Sequence, residues 1–382
     1  MSDILRQRLG KRPYLLADGA TGTNFFAMGL QTGEPPELWN VEHPERVAAN
    51  HRSFIEAGAD IILSNSFGAN RFRLALHRNA HRVAELNEAA TRIARAEADR
   101  VDPAVIVAGS MGPSGEIYRP LGALSIEEAH DAFREQAEAL VRGGADILWV
   151  ETISSREEMQ AAVEGAGATG KPVVCTLSFD SNGRTMMGLC PADVARFAAS
   201  LASPPLACGS NCGVGPAETV LSVINMARAD CAPPLLVAKG NCGIPYWSGG
   251  AIAYDGTPQL MAAYARHAYA AGARIIGGCC GTTPLHLRAM KVALDEHPDS
   301  CAASLEEIVA ELGAISSGAR AQYGGDLSLG GGSASGRGAA QKPAQPQLSA
   351  GRARRWGIPR ESVSRGFVSA GGRIRRVQLA EQ

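Results

Sequence analysis

Two adjacent cysteines set among glycines, Gly277-Gly278-Cys279-Cys280-Gly281, and a third in Asn211-Cys212-Gly213 are the clearest candidates for chemistry in this 382-residue chain. Three thiolates suit Zn²⁺, whose structural sites close with a fourth protein ligand while catalytic sites leave that position to water or substrate. A substrate thiol entering an open position would be deprotonated and held as a nucleophile at neutral pH. Buried free cysteines also serve as small hydrophobes, which is the plainer reading of any one of them. The adjacent pair argues against it, because strand neighbours point to opposite faces and glycines leave gaps in a core. Cys242, in Gly240-Asn241-Cys242-Gly243, reads either as a ligand or as a neighbour of the site. Cys175, Cys190, Cys208, Cys231 and Cys301 have no such setting and read as structural.

Two carboxylates complete the candidate set. Asp18, opening Asp18-Gly19-Ala20-Thr21-Gly22-Thr23, and Glu151, in Glu151-Thr152, could receive the ammonium group of an amino acid substrate. Their alternatives are helix capping for Asp18 and an internal salt bridge for Glu151. The loop from Gly19 onward can aim backbone N–H groups at an anion, a carboxylate as readily as a phosphate. The HExxH, GxSxG and GxxxxGK[ST] patterns are missing, and with them the usual signatures of zinc proteases, serine hydrolases and P-loop enzymes.

These residues work together only if the fold gathers them. Short apolar runs occur at 14–17, 61–64, 105–108, 147–150, 173–177, 206–209, 235–238 and 274–276, eight in all. Segments with helical periodicity lie between them, such as 44–57 and 127–143, each opening on proline or acidic residues. A recurring phrase, at 57–60, 143–146 and 271–274, reads as a helix stopped by glycine, a short loop and a buried strand. Alternating strands and helices indicate a parallel α/β fold, and eight such units in about 300 residues indicate a closed (βα)8 TIM barrel over 1–312. A barrel turns all its strand ends toward one mouth, which would bring Cys212 beside Cys279 and Cys280.

Composition fits a chain of this kind. Hydrophobic residues make up 45% of it, enough for a sizeable core. The apolar run at 14–17 is too short for a signal peptide core, and no stretch approaches the ~18 apolar residues of a membrane span, so a cytoplasmic protein with no membrane partner is expected. Nine cysteines in a reducing compartment serve metals, catalysis or packing. The net charge of −1 conceals an asymmetry: 313–382 carries ten Arg and one Lys against three acids. That segment is rich in Gly, Ser, Ala, Pro and Gln, and reads as a disordered basic tail. Such tails are more often solvated than bound to nucleic acid, so no nucleic-acid partner is expected.

The phrases at 18–23, 151–152, 209–216 and 277–284 strongly resemble the homocysteine S-methyltransferase family, over roughly 12–295. The resemblance implies a barrel, a zinc ion held by Cys212, Cys279 and Cys280, and homocysteine as methyl acceptor, with Asp18 and Glu151 helping to hold it. The chain looks most similar to bacterial enzymes described as betaine-homocysteine methyltransferases, notably at 22–30 and 239–245, which implies betaine as donor and methionine as product. The aromatic residues around betaine in the animal enzymes are replaced here, by Gly68 after Phe67 and Thr152 after Glu151. A quaternary ammonium favours an aromatic cage, and Phe25, Trp39, Phe67, Phe72, Tyr118, Phe179, Tyr246 and Trp247 lie in or near mouth loops. Three other readings stand beside this one: S-methylmethionine as donor, a homocysteine-binding subunit serving a corrinoid protein, and a structural zinc closed by Cys242 or another side chain. Oligomeric state is left open, a homo-oligomer included.

Overall fold

The computed structural model describes residues 4–231, 235–248, 251–296 and 303–328. Each of the eight apolar runs forms a strand: β1 Leu15–Leu16, β2 Ile61–Leu63, β3 Ile106–Met111, β4 Ile147–Ile153, β5 Val173–Leu177, β6 Ala207–Cys212, β7 Leu236–Gly240 and, last, β10 Ala273–Gly278. Between β7 and the last of these lies an antiparallel hairpin that the apolar pattern does not announce, β8 Tyr246–Ser248 and β9 Ala251–Ala253. The eight main strands are parallel, in the order β1-β10-β7-β6-β5-β4-β3-β2. A bridge from Ala17 to Ile61 and a bond from Asp18 N to Ile61 O (2.9 Å) join β1 to β2 and close the ring. The architecture is the (βα)8 barrel that the alternation indicated.

Side chains from each of the eight parallel strands fill the interior, among them Leu15, Ile61, Ile106, Ile147 and Trp149, and the short helix Ile4–Leu9 plugs the lower end with Leu5. A second cluster packs the helices against the outside of the ring. The recurring phrase has a clear local cause. Gly58, Gly144 and Gly272 follow the helices Pro44–Glu56, Ile126–Arg142 and Pro258–Ala270 at φ of 101°, 108° and 103°, the left-handed stop that only glycine takes cheaply. In the first two copies the closing aspartate stitches the next strands together: Asp60 Oδ2 accepts from Leu16 N and Asp146 Oδ2 from Val107 N, both at 2.8 Å. In the third, Arg274 donates to the carbonyls of Tyr269 and Ala273 instead.

Beyond residue 312 the chain continues into a further short helix. The helix Ser317–Tyr323 packs Ala319 into the outer core, Ser316 N donates to Glu218 Oε1 (2.6 Å), and the Arg228 guanidinium lies 4.6 Å from the Tyr323 ring centroid. This helix is short and small-residued, so a composition average over 313–382 hides it. The rest of the expected tail, 329–382, lies outside the described residues, as does Cys301. Among the described residues, no helix is long and apolar enough to cross a membrane.

Candidate active site

A cavity of about 540 Å³ opens at the mouth formed by the strand ends. Cys212 ends β6, while Cys279 and Cys280 follow β10. Their three sulfur atoms lie within 4.8 Å of one another, with Cys212 Sγ 3.9 Å from Cys280 Sγ. The pairing of β6 and β10 with the strand between them, β7, sets this spacing. Cys212 reaches the cluster from a left-handed backbone position, φ 60°, uncommon for a residue with a side chain.

Two asparagines brace the cysteine loops, a role that sequence reading did not assign. Asn211 Oδ1 accepts from Thr152 N (2.8 Å), its Nδ2 donates to Thr152 Oγ1 (2.7 Å), and that nitrogen lies 4.0 Å from Cys279 Sγ. Thr152 is itself left-handed, at φ 62°, so the exchange fixes a strained turn. Asn241 Oδ1 accepts from Cys280 N (3.1 Å) and its Nδ2 donates to Gly213 O (2.8 Å), linking the two cysteine loops directly. The signal was present in the sequence as Asn-Cys, twice. From the end of the hairpin, the Tyr254 hydroxyl hydrogen-bonds Cys280. Gly281, at φ 78°, makes room for that ring, since a Cβ there would stand 2.6 Å from Tyr254 Cβ and Cγ.

The donor set fits a divalent soft metal. With protein atoms alone the Cys279 thiol is pushed well up, by its hydrogen bond with Cys212 and by burial. Three thiolates this close need a cation among them. Cys242 stands apart from the cluster: it is buried, its thiol donates to Gly256 O (3.3 Å), and its N–H donates to Cys280 O (2.9 Å). Among the described residues the possible ligands are therefore Cys212, Cys279 and Cys280. Cys175, Cys190 and Cys208 are buried in packing, and Cys231 is half-buried.

Next to the thiols sits a buried charge triad. Asp18 Oδ1 pairs with Lys239 Nζ (2.7 Å) and Oδ2 accepts from Leu63 N (2.7 Å), so both carboxylate oxygens are engaged. Lys239 is the last residue but one of β7, after three apolar residues, and its ammonium lies 5.5 Å from the Trp149 ring centroid. Burial works against its charge, but Asp18 and Glu151 outweigh burial and hold the lysine above its ordinary value. Glu151 Oε1 accepts from Ser110 Oγ (2.5 Å); burial pushes its carboxyl up and Lys239 pulls it down. Glu151, Lys239 and Gly19 line the cavity. Gly19 must be glycine, because a Cβ would stand 2.8 Å from the Phe54 ring and from Thr282 O. The first loop is less free to hold an anion than its glycines suggest, since Ala20 N is committed to Thr282 O (3.1 Å).

The mouth aromatics divide sharply. Phe25 and Trp39 are buried and stack on each other at 5.1 Å, and Tyr118 and Phe179 are also buried. Phe67 lines the cavity, joined by Phe26, which the sequence did not separate from Phe25.

A model of the family described as homocysteine S-methyltransferase matches residues 15–294. The chain is 32% identical over 311 residues to the methionine synthase of Mycobacterium tuberculosis, a match covering 76% of this chain and 25% of that protein. The methionine synthase of Mycobacterium leprae is 31% identical over 300 residues, covering 73% and 24%. The chain thus spans about a quarter of the length of the curated relatives it matches. The metallated crystal structure of the homocysteine methyltransferase MmuM from Escherichia coli superposes with a TM-score of 0.63 at 27% identity, covering 76% of this chain and 99% of that one. With its barrel closed around three clustered thiols and these matches spanning most of its length, the chain belongs to the homocysteine S-methyltransferase family.

Proposed function

We propose that this chain transfers a methyl group to homocysteine, giving methionine, with zinc at Cys212, Cys279 and Cys280 and betaine as preferred donor. The observation that carries the reading is the three-sulfur cluster in a cavity shared with Glu151, in a chain of this family. The metallated form of MmuM supports a metal in such a barrel. Bound here, zinc supplies a Lewis acid that keeps the acceptor sulfur as a thiolate, where a free thiol of pKa about 8.5 stays mostly protonated. The protein's own groups do the rest. Glu151, fixed by Ser110, offers its remaining oxygen to the ammonium of homocysteine. Asp18 acts through Lys239, whose charge it neutralises and positions. The acceptor sulfur then attacks a donor methyl carbon; the S–C bond forms as the C–N bond breaks, and its electron pair stays on the neutral amine nitrogen of dimethylglycine, which departs as the carboxylate anion. No proton is needed by the leaving group, so the site has no use for a general acid. Alignment of the two bound molecules supplies most of the acceleration.

S-methylmethionine is the second reading for the donor, favoured by the thin cage: Phe26 and Phe67 are the aromatic residues lining the cavity, with Gly68 and Thr152 beside it. The deciding experiment offers homocysteine with betaine, dimethylsulfoniopropionate and S-methylmethionine separately to the zinc-loaded chain and follows methionine. Product with betaine, lost in Cys280→Ala, supports the preferred reading. Product only with S-methylmethionine moves the donor, and product only with an added corrinoid protein overturns small-molecule transfer.

A further inference from the structure

The cavity changes character from floor to rim. Its floor holds the thiols with buried Glu151 and Lys239, while its outer wall includes Arg73 and His77, both exposed and both from the segment after β2. Lys239 is committed to Asp18. Arg73 is not committed: among the described residues its guanidinium makes neither an ion pair nor a hydrogen bond, although Arg71, two residues earlier, is paired with Glu135 at 2.7 Å. Its position is nonetheless defined, since Gly115, at φ 80°, leaves space into which the arginine packs; a Cβ there would meet Arg73 Cδ at 3.3 Å and Nη1 at 3.4 Å. Buried Glu37 also lines the cavity and accepts from Gly68 N (2.6 Å); burial pushes its carboxyl up, against weaker opposing pulls from its backbone hydrogen bonds, Arg73 and His77. The outer half of the cavity therefore presents the carboxyls of Glu34 and Glu37, the Phe67 face and an uncommitted cation.

This inference rests on the methyl-transfer reading above. In-line transfer places the methyl carbon between the acceptor sulfur and the onium centre of the donor, so the rest of the donor must point away from the thiols, toward the rim. We infer that Arg73, with His77 beside it, binds a carboxylate on the methyl donor, while Glu37 and Phe67 receive its onium centre, so that the site selects donors which are zwitterions. Guanidinium suits this task because it presents planar paired donors to a carboxylate and stays charged at every working pH.

The test uses the zinc-loaded full chain with homocysteine and two donor pairs that differ in the carboxylate: dimethylsulfoniopropionate against trimethylsulfonium, and betaine against tetramethylammonium. In Arg73→Gln the preference for the carboxylate member, as a ratio of kcat/KM, should fall about tenfold, the loss of one charge-assisted hydrogen bond at a solvated position. The fall should appear in the donor KM, and Arg73→Lys should restore part of it. Wild-type turnover with an unchanged preference in Arg73→Gln overturns the inference alone. A rise in the homocysteine KM matching that of the donor also overturns it, by assigning Arg73 to the acceptor. Absence of product from wild type with every small donor overturns the methyl-transfer reading and this inference together.

Discussion

At the lower end of the barrel Leu5, Leu15, Ile61, Ile106 and Ile147 fill the interior with apolar side chains, whereas the upper end buries Asp18, Lys239 and Glu151 beside three thiols. The lower end gains free energy by removing apolar surface from water and is indifferent to which aliphatic side chain does so, within volume limits. The upper end instead removes charges from water, which is costly unless each is paired, and it holds Thr152 and Cys212 in left-handed backbone. Stability and reactivity are thus concentrated at opposite ends of the same eight strands. Damage below should cost folding with chemistry intact, and damage above should do the reverse, except where it strands a charge.

The sharpest separation comes from Cys280→Ala. It should lower methyl transfer by on the order of 10³-fold or more, while metal-free unfolding in urea shifts by less than about 1 kcal/mol. Zinc content by metal analysis and urea curves measured side by side would check both halves. Lys239→Met is the exception that tests the rule, because it leaves Asp18 buried without its partner. It should destabilise by about 3–5 kcal/mol, and adding Asp18→Asn should recover part of the loss in a double-mutant cycle. Failure of the second substitution to recover anything would mean that the pair is not the cause. Leu5→Ala, at the plug, should cost about 2–4 kcal/mol with kcat/KM of the zinc-loaded protein unaltered. A change in KM there would break the division between the ends.

The last effect shows only at acid pH and concerns His51, buried on the helix Pro44–Glu56, whose two ring nitrogens find no partner among the described residues. Burial drives its pKa down to about 4, against weaker opposing pulls from Asp18 and Glu97. The unfolded chain therefore takes up a proton between pH 6.5 and about 4 that the native state refuses, so stability falls as pH falls through that window. The loss approaches about 3 kcal/mol at the acid end, and His51→Gln should flatten the slope in urea titrations at a series of pH values.

The repeating parts of this molecule were legible in its sequence. Strand positions came from eight buried runs, and the three cysteines from glycine-flanked phrases at strand ends. The residues that escaped reading are those whose role depends on a partner far along the chain. Lys239 sits in an apolar run and looks like an interruption; only its proximity to Asp18, 221 positions away, makes it part of the floor. Asn211 and Asn241 brace turns that exist only once their strands pair. Phe25 and Phe26 are adjacent and equally apolar, and a six-residue helix has too little periodicity to say which faces the cavity. The helix Ser317–Tyr323 was masked by the Gly- and Ser-rich composition of the segment after it.

Ring closure also has a consequence in time. β1 is two residues long and pairs with β10, 260 positions later, while Asp18 waits for Lys239 across 221. A strand so short cannot persist alone, and contacts of such separation form slowly. During synthesis the first barrel strand can meet β2 early, through Leu16 and Asp60, but its other edge is paired only once β10 has emerged, and the thiol cluster, fed by β6 and β10, is assembled in that same closing step.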